Sequence, residues 1–402
     1  MTCLILMSSS LSIGLPETDP SQNPRDLWLL DPQIAYLNHG AFGACPIPIL
    51  ELQQRLRSQL EREPVRFMER ELEPLLDRAR RALADFVGAD PSHLAFVPNA
   101  TTGVNAVLRS LSFSPEDELL TTDQEYNACR NALNYISQRT GAKIAIASVP
   151  FPLDSHQQIV EAVLARVSSK TKLVLLDHIT SQTGLIFPIK PLIAQLTSFG
   201  IQVLIDGAHA PGQVPLNLRE LGATYYTGNC HKWLCAPKGA AFLYVHPDRQ
   251  NQVRPLTISH GANATRQDKS RFHLEFDWMG TDDPTAYLCL PEVIEFMGSL
   301  LPGGWPELMQ RNHNLVLAAR QWLCEALNVD LPCPNEMIGS MACVPLPDGE
   351  EKPLRNTLFE QYGIEVPIMP FPAFPKRLLR VSAQIYNTPE EYQALASAIA
   401  QI

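Results

Sequence analysis

Val-Leu-Ile-Asp-Gly-Ala-His at 203–209 and Tyr-Tyr-Thr-Gly-Asn-Cys-His-Lys-Trp at 225–233 each begin as a strand-like run and break into polar residues. Strands that end this way, carrying Asp206 and Lys232 26 residues apart, suit an α/β sheet with its chemistry at the strand ends. The pair also suits one cofactor. A lysine amine forms a Schiff base with the aldehyde of pyridoxal phosphate. A carboxylate against the pyridine nitrogen keeps that nitrogen protonated and makes the ring an electron sink. Taken alone, a Lys and an Asp on neighbouring surface loops is the commoner reading of two such residues.

A third stretch adds to the pair. Asn-Ala-Thr-Thr-Gly-Val-Asn (99–105) follows the apolar run Leu-Ala-Phe-Val (94–97) and opens a helix-like segment. Backbone N–H groups at such a helix start, with the hydroxyls of Thr101 and Thr102, suit a phosphate. The same residues also make an ordinary helix cap.

Strand-like runs at Asp117–Thr122, Lys143–Val149, Lys172–Asp177, Gln202–Asp206, Thr224–Thr227 and Ala240–Val245 mostly alternate with helix-like segments. Those segments include Asn127–Arg139, His156–Val167 and Lys190–Phe199. The alternation predicts a mainly parallel sheet flanked by helices. After about residue 285 the pattern changes. Pro-Gly-Gly (302–304) and the Pro-rich stretches 331–335 and 365–375 break it into shorter pieces, as expected of a smaller α/β domain over 286–402 beside a large one over 36–285.

Composition narrows the function classes. The chain has 402 residues, 45% hydrophobic and 18% charged, enough for a large core. A net charge of -10 argues against nucleic acid as a partner, because phosphate backbones are held by clustered Lys and Arg. The start, Met-Thr-Cys-Leu-Ile-Leu-Met, has no basic residue near it before Arg25 and does not resemble a secretory signal; no apolar stretch reaches membrane-span length. Nine cysteines, an odd number, read as reduced thiols of a cytoplasmic protein. Cys230 and Cys235 flank Lys232 but lack the second pair that a structural zinc site needs, so no metal is expected.

The motifs resemble a known family. Tyr-Leu-Asn-His-Gly-Ala-Phe-Gly-Ala (36–44), Pro-Asn-Ala-Thr-Thr-Gly-Val-Asn (98–105), Glu-Tyr-Asn-Ala-Cys-Arg-Asn-Ala-Leu (125–133), Asp-Gly-Ala-His (206–209), Asn-Cys-His-Lys-Trp (229–233), Trp-Met-Gly-Thr-Asp-Asp (278–283) and Arg-Val-Ser-Ala-Gln-Ile-Tyr-Asn-Thr (380–388) span nearly the whole chain in order. They resemble the class V aminotransferase family of fold type I pyridoxal phosphate enzymes, and within it the isopenicillin N epimerase-like proteins. The resemblance implies that residues 1–35 form an N-terminal arm joined to the small domain.

It also implies roles. Lys232 is then the Schiff-base lysine, Asp206 the partner of the pyridine nitrogen, and Tyr126 the ring stacked on the cofactor. His209 and Ser181 approach the phenolate oxygen. Ala100, Thr101, Thr102, Asn229 and His231 surround the phosphate. Thr281 reaches the cofactor phosphate of a neighbouring subunit, which implies a homodimer with shared active sites. Arg380 clamps the substrate carboxylate, with Asn38 and His39 lining the substrate entrance and Arg66 and Arg130 available for a second carboxylate. For several of these residues a plainer role stays open: a core aromatic for Tyr126, a strand-end cap for His231, a structural ion pair for Arg380.

The expected activity is that of an enzyme acting at Cα of an amino acid or amino-acid-containing peptide. The lysine amine, once displaced, takes the Cα proton. Return of a proton to the opposite face gives epimerisation, for which His39 and Tyr126 are the candidate donors. Transamination and β-elimination by a carbon–sulfur lyase are the alternatives. Cysteine desulfurase chemistry is disfavoured, because Tyr126 stands where desulfurases usually carry His and residues 344–380 contain no Cys. A non-catalytic regulator is disfavoured by the retained lysine.

Overall fold

The structure, a computed structural model, describes residues 23–401. Most of the expected arm, with its apolar start and Cys3, lies outside the described residues. Among the described residues twelve strands form: β1 (Ala35–Tyr36), β2 (Leu94–Val97), β3 (Glu118–Thr122), β4 (Lys143–Ala147), β5 (Thr171–Asp177), β6 (Gln202–Asp206), β7 (Tyr225–Asn229), β8 (Ala241–Val245), β9 (Met341–Leu346), β10 (Ile364–Glu365), β11 (Ile368–Pro370) and β12 (Arg377–Ser382).

Seven of them make the central sheet in the order β2-β8-β7-β6-β5-β3-β4. β8 runs antiparallel to both neighbours, and the other pairings are parallel. This is the α/β class expected from the alternation of runs. The central strands are apolar throughout because helices cover both faces. Along them the side chains alternate: Leu173, Leu175, Leu204 and Leu243 join the core under helices Ala100–Ser110 and Asn127–Thr140. Val174, Leu176, Ile205 and Phe242 face the opposite core, with helices Leu72–Val87 and Ile189–Ser198.

Local sequence explains the helices. In Leu72–Val87 the buried Leu72, Leu76, Ala79, Leu83 and Val87 recur every three or four residues, and Gly88 ends the helix at φ 63°. Gly103 serves packing. A Cβ there would lie 2.3 Å from Thr227 Oγ1, so only glycine lets helix Ala100–Ser110 lie this close to β7. The strand expected over Thr224–Thr227 runs on to Asn229, which puts Asn229 at the carboxyl end of β7.

The later part of the chain builds a three-stranded antiparallel sheet, β11-β12-β9, covered by helix Gly304–Leu327, on which helix Pro389–Gln401 packs. β1 pairs in parallel with β10, Ala35 opposite Ile364, and the Gly40 N–H donates to Ser382 Oγ on β12 at 3.1 Å. The eight described cysteines are all buried and free. No described helix is long and apolar enough to cross a membrane.

Candidate active site

A cavity of about 540 Å³ opens at the carboxyl ends of β5, β6 and β7, where Asp177, Asp206 and Asn229 terminate the strands. Such a position is where open α/β sheets bind ligands, and the volume suits a small molecule. Ala100, Thr101, Tyr126, Ser181, His209, His231 and Lys232 share the lining with these three, so ten of the residues singled out in the sequence or found at strand ends meet in one place.

The turn after β7 carries Lys232. Gly43 makes room for it, since a Cβ there would lie 2.1 Å from the His231 carbonyl oxygen and 2.9 Å from Lys232 Cα. The Lys232 Nζ lies 3.1 Å from His209 Nε2. Loss of hydration, reinforced by the Arg380 charge, pushes the Lys232 amine down to about 8, against the opposing pull of Asp206 and Asp177. Burial, then the positive charges of Lys232 and Arg380, hold His209 well below the ordinary histidine value. His209 is therefore a neutral imidazole. His231 is pinned by its own Nδ1–H, which donates to the Ala240 carbonyl at 3.0 Å.

Asp206 is 2% exposed and receives the Ala208 N–H at 2.9 Å and the Cys129 thiol at 3.0 Å. A carboxylate accepts about four hydrogen bonds, so Asp206 retains capacity on the cavity side. Two further buried acids stand close by. Asp177 is pushed well above the ordinary carboxyl range by burial and by the neighbouring Glu125 and Asp206 charges, and its Oδ2 has no partner. Burial, then Asp206, also raises Glu125, whose Oε2 accepts from Thr121 Oγ1 at 2.9 Å. Sequence reasoning passed over both acids and Cys129, although Asp177 ends an apolar run just as Asp206 does.

At the opposite side Asn229 Oδ1 accepts the Ala100 N–H at 2.8 Å, and Asn99 caps the helix by accepting from Thr102 N at 2.9 Å. The Thr101 N–H and hydroxyl have no protein partner among the described residues. They open on the cavity from a helix N-terminus. Thr102 spends its hydroxyl on Asn99 at 3.0 Å and does not line the cavity. An amine, a buried carboxylate and free helix-start donors around one cavity are the donor set that pyridoxal phosphate requires, so the residues fit the group.

Arg380, on β12, is 4% exposed. Its guanidinium donates to the Ser181 carbonyl and, at 3.4 Å, to Asn38 Oδ1, while its Nε has no partner. Two expected placements on the substrate side, those of His39 and Asn38, differ. His39 is not at an entrance: it is fully buried, with Nδ1 2.7 Å from the Tyr386 hydroxyl and Nε2 3.0 Å from the Lys232 carbonyl. Both ring nitrogens are taken by groups distant in sequence, which removes it from contact with substrate. Asn38 also stays out of the cavity, its amide donating to Glu365 at 3.1 Å. Thr281 is exposed on the segment after helix Arg271–Phe276 and does not line the cavity of its own chain. Arg66 pairs with Glu71 on the surface, and Tyr126 stands just before helix Asn127–Thr140 with no capping bond from its side chain and 44% exposure.

Fold and cavity together define a fold type I pyridoxal phosphate-dependent enzyme. The family model described as Aminotransferase class-V matches residues 51–395, and the chain belongs to that family. It is 34% identical to an isopenicillin N epimerase of Streptomyces clavuligerus, over 94% of this chain and 97% of that one. It is 31% identical to a probable chloroplastic L-cysteine desulfhydrase of Arabidopsis thaliana, over 92% of this chain and 83% of that protein. Among solved structures, the cystine C–S lyase C-DES in complex with cysteine persulfide superposes with a TM-score of 0.77 at 22% identity, covering 92% of this chain and 98% of that one. The cysteine desulfurase CsdA from Escherichia coli gives 0.77 at 19% identity, covering 96% and 98%. At these identities the two structures speak for the fold alone.

Proposed function

We propose that the enzyme removes the Cα proton of an amino acid with a free α-carboxylate and then expels a sulfur substituent from Cβ, as a carbon–sulfur lyase. The observation that carries the choice is the burial of His39. With both of its ring nitrogens engaged, it cannot return a proton to the far face of Cα. A single amine suffices for β-elimination, whereas inversion needs a second donor. Epimerisation is the second reading, supported by Tyr126 on the cavity wall and by the relatedness to isopenicillin N epimerases.

Bound pyridoxal phosphate supplies an aldehyde that bonds amines and a ring that accepts the electron pair left on Cα. The chain's residues do the rest. Lys232 would hold the group through its amine, and the freed amine would accept the Cα proton at Nζ; desolvation keeps that amine able to do so near neutral pH. Asp206 would keep the pyridine nitrogen protonated, His209 and Ser181 would serve the phenolate oxygen, and Tyr126 would cover a ring face. Thr101, Asn229 and His231 would hold the phosphate, with Ala100 tied to Asn229 and Thr102 to Asn99 to fix the helix start. Arg380 takes the α-carboxylate in a fork of two N–H donors, leaving the Ser181 carbonyl it holds in the resting site. With cysteine as substrate, the thiol leaves with the Cβ–S electron pair and takes a proton, and water releases pyruvate and ammonia.

The same reading divides the chain into an arm over 1–35, a large domain over 36–285 and a small domain over 286–402. It also makes the working unit a cytoplasmic homodimer in which exposed Thr281 serves the partner's phosphate. Incubating cysteine-type and other amino acids in deuterated water tests the reaction. Pyruvate and sulfide in equal amounts are expected. Deuterium at Cα with inverted configuration and no oxo acid would establish epimerisation instead.

A further inference from the structure

Trp233 follows Lys232 directly and is fully buried. Its indole Nε1 lies 3.4 Å from His209 Nδ1. An indole N–H donates and never accepts, so Nδ1 must present its lone pair. A neutral imidazole then carries its single proton on Nε2, the atom 3.1 Å from Lys232 Nζ. No other described side chain hydrogen-bonds to the His209 ring. The Gln213 amide next to it donates to the His209 backbone carbonyl at 2.7 Å and fixes the residue without touching the ring nitrogens.

We propose that Trp233 is a positioning residue that acts through His209: its indole N–H locks the imidazole as the Nε2–H tautomer, so that His209 donates toward the lysine amine and cannot accept from it. This rests on the reading of Lys232 given above. The consequence falls on the amine. A histidine that accepted at Nε2 would stabilise the ammonium form of Lys232. One that donates favours the neutral amine, which alone bonds an aldehyde or takes a proton. The charges facing Lys232 are Arg380 from β12, Asp206 from β6, Asp177 from β5 and the Cys129 thiol, and His231 also faces His209. The carboxylates among them pull the amine toward protonation, and the indole-locked imidazole acts against that pull.

The competing explanation is that Trp233 only fills space, since its ring also packs on His39 at 5.0 Å between centroids. Nitrogen–proton correlation spectra of the full-length, cofactor-free protein with ring-labelled histidine separate the two, with His209 assigned by its disappearance in His209→Gln. In the parent the Nε2–H pattern is expected; an Nδ1–H pattern overturns the proposal. In Trp233→Phe the His209 signal should move toward the Nδ1–H form. Competitive acetylation of Lys232 followed against pH should show its titration midpoint displaced upward. In a His209→Gln background, adding Trp233→Phe should leave that midpoint where it was, an outcome that a space-filling role would not produce. An unchanged tautomer in Trp233→Phe overturns the proposal. Should that variant fail to fold, benzothienylalanine at position 233 replaces the N–H by sulfur at nearly constant shape and is read in the same way. None of these readings depends on which lysine bonds the cofactor, so they stand or fall separately from the assignment of Lys232.

Discussion

Asp177 and Asp206 face each other in register at the carboxyl ends of β5 and β6, two carboxyl groups side by side with Glu125 close behind. Like charges this close cannot all ionise in a buried site, so protons are retained on some of them. The folded chain binds protons that the unfolded chain has released. A raised carboxyl value therefore gives stability that is greatest at low pH and is lost as pH climbs. For Glu125 the loss runs from the ordinary glutamate value of 4.5 up to about 8. Glu125→Gln is expected to flatten that slope and to raise the melting temperature relative to the parent at pH 8 to 9, as scanning calorimetry across pH would show.

Lys232→Ala should lose covalent cofactor attachment and all turnover. Borohydride reduction of the parent followed by peptide mapping should tag Lys232. Lys238 is the only other lysine near the turn, and its Nζ is committed to the Gly43 carbonyl at 2.9 Å. A tag on Lys238 would refute the assignment.

The lowered Lys232 value has a kinetic sign. Only the neutral amine bonds an aldehyde, so the rate at which cofactor-free protein takes up pyridoxal phosphate should rise with pH and level off above about 8. Stopped-flow absorbance measures this directly. A rate still rising toward the ordinary lysine value would mean that the amine is not desolvated as its surroundings imply.

Asp206→Asn should retain cofactor binding yet slow exchange of the Cα proton by roughly 100-fold or more, the scale on which removing one key electrostatic group acts. The neutral amide keeps the shape and the Ala208 contact but cannot hold the pyridine proton. Exchange at the parent rate, read by proton NMR in deuterated water, would remove Asp206 from that role.

Arg380→Lys should raise KM by about 10- to 100-fold, since a charged hydrogen bond is worth about 1.5–3 kcal/mol and an ammonium cannot reproduce the planar fork. Steady-state kinetics at several substrate concentrations reads it, and an unchanged KM would place the substrate carboxylate elsewhere.

The sequence shows Asp206 and Lys232 because each follows a strand-like run that breaks into polar residues, at a spacing that suits one cofactor. The Thr101 helix start is legible for the same reason. The acids were harder to see. Asp177 closes an equally apolar run, but nothing in its spacing reveals that it lies beside Asp206, because strand order is a tertiary fact. Glu125 is buried only once helix Asn127–Thr140 packs against its neighbours and brings Cys129 onto Asp206 at the end of β6. His39 was misplaced because its motif says which residues are neighbours in sequence, while its partners are Tyr386 and the Lys232 carbonyl. The hydrogen bond from Trp233 to His209 joins two separate motifs, and only the turn after β7 brings them together.

The pairing of β1 with β10, and the Gly40 to Ser382 contact that bridges 342 residues, also set an order of events during synthesis. Residues 35–40 leave the ribosome early, yet their partners emerge only after nearly all the rest of the chain. The central sheet can collapse while they wait, since β2 to β8 lie within residues 94–245. Arg380, anchored across 199 residues to Ser181 on the cavity wall, is made after every residue that lines the cavity. A nascent chain thus carries a formed strand-end pocket before it has the guanidinium assigned to substrate, and closing such distant contacts is the slow part of folding.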